Sequence, residues 1–352
     1  MHRRMRQQTS VRSSRGITLI EMMVVLVVVI VGWLALMAVA LETMRAFEFF
    51  QSLNLLEEWN QAIVNNIRDD AISAKQYFGN DTRGRDYFAA LEKDSDSYPI
   101  SPTRLPTVID TGSFGPDTVA EQKTGNLLLF SKSREPFVVT VPRTSSEDGT
   151  YRVNVYQFVL YYLASRPQER VGRYTGVLDL MRWCSVCFAD YTQVMAIEDP
   201  DPSDAVDPRE NVVAAFVSSY NSTWLWDSAE DVADAFYECD WVGNVADDPE
   251  PLMTIDQHPS EGLVSTVPSG MTTSKHASIC WNSGTPGFEV SAVVPVYALE
   301  DPFADGFPHG FEVQIVGPSG ARELLVRAAM AKGTSKGIIC REFSAVLTTR
   351  EF

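Results

Sequence analysis

Five cysteines, one aspartate-rich loop and one glycine-flanked serine are the features of this chain whose residue types and spacing could do chemistry. Cys184 and Cys187 lie in the string Trp183-Cys184-Ser185-Val186-Cys187. In a thiol–disulfide catalyst the first thiolate of such a pair is stabilised at a helix N-terminus. No helical pattern follows the string and no βαβ pattern surrounds it, so redox catalysis is not expected. Zinc held by four thiolates needs a second paired knuckle. Cys239, Cys280 and Cys340 are single and far apart. The cysteines therefore read as structural disulfides or buried thiols. An odd number leaves at least one thiol unpaired or joined between chains. Spacing does not fix the connectivity, although Cys239–Cys280 would be a natural staple.

Residues 198–210 (EDPDPSDAVDPRE) carry Asp199, Asp201, Asp204 and Asp207. Hard oxygen ligands at this spacing could hold calcium. The loop contains three prolines and no EF-hand pattern, so a solvated turn without a cofactor is the expectation. Gly333-Thr334-Ser335-Lys336-Gly337 is a GxSxG string. In a hydrolase that serine sits on a strand-to-helix elbow, with its acid and histidine later in the chain. Here a strand pattern follows, and no histidine lies beyond His309. His258, His276 and His309 are isolated. There is no HExxH, no phosphate-binding GxxxxGK[ST] and no dinucleotide glycine run. The chain reads as a non-enzyme.

The elements that must position these residues begin with an unusual N-terminus. Residues 1–16 (MHRRMRQQTSVRSSRG) hold five arginines and no acid. Residues 22–41 are twenty residues without a charge. At ~1.5 Å per residue they make a helix of roughly 30 Å, the thickness of a bilayer's hydrocarbon core. Glu21 stands at the leading edge, where a carboxylate entering lipid is costly. A cleaved secretory signal has an apolar core of roughly 7–15 residues and then a small-residue cleavage site. This run is longer and continues into further helical sequence. A plain signal anchor explains the arginines through the positive-inside rule, but not the placing of Gly16, Thr18 and Glu21.

That placing resembles the class III signal of type IV pilins and type II secretion pseudopilins. The resemblance implies cleavage by a prepilin peptidase between Gly16 and Ile17, N-methylation of Ile17, and an assembly role for Glu21 as the fifth mature residue. Isoleucine stands where the family usually has phenylalanine. It also implies a leader at residues 1–16 and a helical spine whose transmembrane half is 17–41. An amphipathic half at 42–78 and a head at 79–352 would follow.

The residues support such a spine. Phe49, Leu53, Leu56, Trp59, Ile63, Ile67, Ala71, Ala74 and Phe78 recur at steps of three and four, the stripe of a helix packed on one side. No proline occurs between Ile17 and Phe78, and Gly79-Asn80 supplies a stop. A helix of ~60 residues, about 90 Å long, is predicted. A coiled-coil stalk is the plainer alternative, but strict heptads are absent.

Beyond Gly79 the pattern turns to β-structure. Strands are predicted at 126–130 (NLLLF), 137–141 (FVVTV), 152–164, 176–183, 211–218 (NVVAAFVS), 311–316 (FEVQIV) and 337–349. In 311–316 the alternation puts Phe311, Val313 and Ile315 on one face. Residues 321–331 fit strand or helix. One helix is predicted near 228–237, from Ser228 and Asp231 as a capping-box-like start. The fold class is thus α+β, a long N-terminal helix packed on a mainly antiparallel head.

The order of these strands is similar to that of pseudopilin J and PilW-type minor pilins. The correspondence includes Leu180 and Arg182 in one strand, Trp224 after a Val-rich strand, and Pro308 before an alternating one. Residues 227–301 read as an insertion.

Setting aside the leader leaves 336 residues with 24 basic and 46 acidic side chains, net −22. Such a surface disfavours nucleic acid. The resemblance implies a minor, tip-located subunit that starts or caps a type II secretion pseudopilus or type IV pilus. It implies prepilin peptidase and other pilins as partners, the bacterial inner membrane as the first location, and a periplasmic head that later joins a filament. The alternatives are a single-pass, membrane-anchored periplasmic binding protein or enzyme, and a pilus-tip adhesin using exposed Trp224 and Trp226.

Overall fold

The computed structural model describes residues 18–92, 103–115, 123–143, 147–171, 174–198, 207–232, 234–239, 253–254, 261–262, 278–279, 311–334 and 337–349. The chain forms two compact units, Met1–Gln51 and Ser52–Phe352. Helix α1 (Leu19–Ile72) contributes to both. Within the first unit its side chains are exposed on every side, apart from a half-buried Glu48.

Within the second unit α1 buries a stripe of Ser52, Leu56, Ile63, Val64, Ile67, Asp70 and Ala71. It is followed by β1 (Ala74–Phe78), α2 (Thr82–Ala89), β2 (Leu91–Glu92), β3 (Val108–Ile109), β4 (Leu128–Ser133), β5 (Phe137–Val141) and β6 (Gly149–Val153). Then come β7 (Val155–Val171), β8 (Tyr174–Asp190), α3 (Tyr191–Met195), α4 (Pro208–Tyr220), β9 (Trp224–Trp226) and β10 (Phe236–Glu238). Short β11 (Met253–Thr254), β12 (Glu261–Gly262) and β13 (Ser278–Ile279) precede β14 (Phe311–Val316), β15 (Glu323–Thr334) and β16 (Gly337–Thr348).

Among the described residues, the main sheet runs β1-β4-β7-β8-β13-β15-β14-β3, with β16 on β15 and β9 and β12 on β8. It is mostly antiparallel; β3 on β14 and β9 on β8 are parallel. Both faces of β7 are covered along its first half, which explains the apolar run Phe158–Ala164. Val159, Tyr161 and Leu163 point toward the α1 stripe. Tyr156, Phe158, Leu160 and Tyr162 point into an aromatic layer with Phe78, Tyr87, Trp183 and Trp226. Val155 and Ala189 continue the first face, where Val212, Val213 and Phe216 of α4 pack. The observed class is α+β, a long apolar N-terminal helix with a mixed sheet.

Several elements differ from the sequence-based expectation. The helix ends at Ile72, six residues before Phe78. The Ser73 amide and hydroxyl both donate to the Asp70 carbonyl, at 3.3 and 3.1 Å, and close the last turn. Ala74–Phe78 then pairs with β4, Tyr77 opposite Phe130 and Phe78 opposite Leu129. Ladder bonds and burial on the sheet outweigh the helical spacing of Ala71, Ala74 and Phe78.

Residues 211–218 are helical, inside α4, not a strand. Asp207 caps the helix by accepting from the Arg209 N–H at 2.8 Å, Pro208 occupies the first turn, and Asn221 ends it in the left-handed conformation at φ 49°. Start and stop chemistry overrides the β-branched pair Val212-Val213. The described residues of 228–237 form no helix. Asp227 accepts from the Ala229 N–H at 2.9 Å in a turn, and Phe236 pairs with Trp226. The ambiguous 321–331 is strand, in β15. In β14 all six residues are buried. Gln314, on the second face, donates to the Gly115 carbonyl at 2.7 Å and to Thr124 Oγ1 at 2.9 Å.

Candidate functional site

The first candidate is the entry of α1. Gly16 and Ile17 lie outside the described residues. The Thr18 N–H donates to Glu21 Oε2 at 2.9 Å, and the Glu21 N–H donates to Thr18 Oγ1 at 3.3 Å. This reciprocal pair is a capping box, with Thr18 as cap and Glu21 three residues on. It satisfies two amides that a helix start leaves without partners. Glu21 therefore has a local role on its own chain. The signal was present in the sequence as Thr18-x-x-Glu21, beside the family spacing. Behind the cap, the uncharged apolar run is exposed throughout. Leu26, Ile30, Trp33, Leu34 and Met37, on different sides of the helix, are all about half or more exposed. A helix apolar all round needs lipid or other helices about it.

The second candidate, in the other unit, was not read from the sequence. Asp70, in the last turns of α1, is 5% exposed. Lys132 of β4 donates to its Oδ1 at 2.7 Å. Arg182 of β8 donates through Nη2 to Oδ1 at 3.0 Å and through Nε to Oδ2 at 2.7 Å. Tyr161 of β7 donates to Oδ2 at 2.6 Å. A bidentate fork and two further donors fill the carboxylate's four acceptor positions. One helix is thereby tied to three adjacent strands.

Electrostatics follow from that geometry. Burial pushes the Asp70 carboxyl up. Hydrogen bonds from Arg182, Lys132 and Tyr161, with the Lys132 charge, together outweigh it and hold the group below its ordinary 3.8. The hydrogen bond to Asp70 raises Arg182 against its own burial. Burial and the Asp70 charge raise the Tyr161 hydroxyl. Asp70, Arg182 and Tyr161 are each held in the protonation state that the network requires at neutral pH. Beside it, a cleft of about 400 Å³ opens between the end of α1 and α4, lined by Asp69, Lys132, Arg134, Glu135 and Tyr220 among others. Its charges are mixed, and the Lys132 ammonium is already committed to Asp70.

The remaining sequence candidates are dispersed. The Cys184–Cys187 string lies inside β8, where Val159 faces Cys184 and Gln157 faces Cys187. Two residues therefore oppose the single Phe158, which is a β-bulge. Ser185 Oγ accepts from the Phe158 N–H at 2.8 Å and holds the bulge. A bulge in a sheet lacks the helix N-terminus that lowers a catalytic thiol. Burial instead raises the Cys187 thiol, although Arg134 and Lys132 oppose it.

Cys239 is half-buried after β10. Cys340 pairs with Ala331 in the β15–β16 ladder. Cys280 lies outside the described residues, as do Asp199, Asp201 and Asp204. Asp207 is the cap of α4. Among the described residues no group of three metal-ligating side chains forms. In the GxSxG string Thr334 of β15 lies opposite Gly337 of β16, and Ser335 and Lys336 lie outside the described residues. Trp226 is fully buried and donates to the Tyr87 hydroxyl at 3.1 Å, so it is not the exposed ligand-binding aromatic of the adhesin alternative.

Compared with models of protein families, with curated proteins and with solved structures, this chain gives no match. What the fold defines is a class, an α+β chain whose apolar N-terminal helix is a candidate membrane anchor or signal sequence.

Proposed function

We propose that this chain is a membrane-inserted subunit of a pilin-like filament, a minor pilin or pseudopilin that starts or caps assembly. The observation that carries the reading is a carboxylate fixed at the start of the uncharged, exposed apolar run 22–41 of α1. Cleavage after Gly16 would place the Ile17 ammonium one residue from the cap. The ammonium of a neighbouring chain could then neutralise Glu21 and set the register of helix against helix. A buried pair of this kind supplies specificity more than net stability. The cap contributes by holding the carboxylate in one rotamer before a partner arrives. In the second unit, the Asp70 network would carry the load between the helix and the sheet.

The capping box favours a second reading, a plain signal anchor, because it gives Glu21 a purpose without any partner. Two substitutions separate the readings. Glutamine still closes a capping box, but it carries no charge. In the assembly reading, Glu21→Gln abolishes incorporation into filaments while α1 stays inserted. In the anchor reading, Glu21→Gln behaves as the parent. Intact mass of the purified protein is the companion measurement. Retention of residues 1–16 in cells with an active prepilin peptidase would eliminate the assembly reading.

A further inference from the structure

Strand β16 pairs with β15 through twelve consecutive residues, from Thr334–Gly337 to Glu323–Thr348. No described strand pairs with its other edge. Proteins ordinarily blunt a long edge with a proline, a bulge, charged side chains or shortness. Here the strand has no proline, its register runs without a shift, and Arg341 and Glu342 are its charged residues. Its outer stretch is open, with Arg341, Ser344 and Thr348 exposed and Val346 55% exposed.

A cleft of about 340 Å³ flanks the strand, between α1 and the β15–β16 ladder. Leu53, Glu57 and Asn60 form its helix wall, and Arg341 and Phe343 its strand wall. Asn60 Oδ1 has almost no open surface and, among the described residues, no hydrogen-bond partner. Buried acceptors are ordinarily paired, so a donor entering the cleft would draw the Asn60 amide toward it.

We propose that the edge of β16 on which no described strand pairs and this cleft form a docking site for an extended segment of a partner protein. The segment adds as a further strand and lays one lysine or arginine into the cleft. Its backbone would satisfy the outward amides and carbonyls of β16, the usual source of affinity in strand addition. Side chains on one face of an added strand would lie over Phe343 and under α1. A lysine there runs its stem along Leu53 and Phe343 and brings its ammonium to the Glu57 carboxylate, with the Asn60 amide turning toward it. Arg341 on the facing wall favours a single cation at that place over a uniformly basic run. Charge also selects the occupant. With 46 acidic and 29 basic residues, two copies of the chain repel each other, whereas a basic segment is attracted. The inference stands apart from the assembly reading, because all its residues lie in Ser52–Phe352.

The test uses the full chain in detergent micelles. The probe is a synthetic peptide of about ten residues, alternating valine and threonine with one central lysine on the valine face. Binding is read by fluorescence anisotropy and by hydrogen exchange of the backbone amides. The expected result is protection confined to Gly337–Thr348, with affinity falling about tenfold when the peptide's lysine is replaced by glutamate. Glu57→Lys, at an exposed position, should invert that preference while leaving exchange in β7 and β8 unchanged. Absence of β16 protection at saturating peptide overturns the proposal, as does equal affinity for the lysine and glutamate peptides. Protection without any peptide, in a chain that sediments as a dimer, also overturns it, because a second copy then holds the edge.

Discussion

Helix α1 contains two stretches with the same backbone and opposite surroundings. From Met22 to Leu41 it is apolar on all sides and exposed on all sides. From Ser52 to Ile72 it buries one stripe against a sheet and turns Glu57, Glu58 and Asp69 to solvent. The second stretch has found its partner within the chain; the first has not. The polar residues make the same point. Glu21 is bonded to a residue three positions away, whereas Asp70 is bonded to residues 62, 91 and 112 positions away. The first region is complete only in an environment the chain does not supply. The second is specified by contacts far apart in the sequence.

Disrupting each region in turn should break this contrast cleanly. The largest effect is expected from Asp70→Asn, which leaves Lys132 and Arg182 facing a neutral amide. Removing one partner of a buried ion cluster costs about 3–5 kcal/mol. Denaturant unfolding of the full chain in micelles should show that loss, with membrane association unchanged. A loss below about 1 kcal/mol would mean that the network does not lock α1 to the strands. Next is Val29→Arg in the middle of the uncharged run. A central arginine opposes insertion by about 2.5–3.5 kcal/mol. Membrane flotation should detect it, and the unfolding midpoint of the second unit should stay where it was.

The pH dependence of unfolding sharpens the contrast. The carboxyl of Asp70 is held below 3.8 in the folded chain. Its contribution is therefore present above the ordinary value and is lost as the pH falls through the lowered one. Acid unfolding should steepen below about pH 4, and Asp70→Asn should flatten that slope. An unaltered slope would assign it to other acids. The smallest effect is expected from Thr18→Ala, which opens the capping box. Amide exchange at Glu21 and Met22 should quicken, while the rest of α1 is unaffected.

Much of the fold was legible where pattern and chemistry agreed. The strand 137–141 matches β5, and 311–316 matches β14 in its bounds. The failures have physical causes. In 211–218 the run of valines outweighed the Asp207-Pro208 start, although Val212, Val213 and Phe216 sit at helical spacing. In 74–78 the apolar residues fit a helix and a strand equally well, and pairing with β4 decided the matter. The capping box was visible as Thr18 and Glu21, but was read only for its resemblance. The Asp70 network was not legible at all. Arg182 stood out for its place in the strand order, yet nothing local pointed to a carboxylate 112 positions earlier.

The far edge of β8 is assembled from pieces. Trp226 of β9 meets Asp190, Gly262 of β12 meets Met181, and Ile279 of β13 meets Leu178 while the same residue reaches Met330 of β15. Segments that emerge well after the β7–β8 hairpin must therefore return to it before β15 and β16 can join the same sheet. Long-range closure of this kind is slow and leaves unpaired strand exposed during synthesis. If the chain is threaded across a membrane from its N-terminus, the hairpin would arrive early and wait with one side bare. Its maturation would then depend on a holding chaperone on the far side.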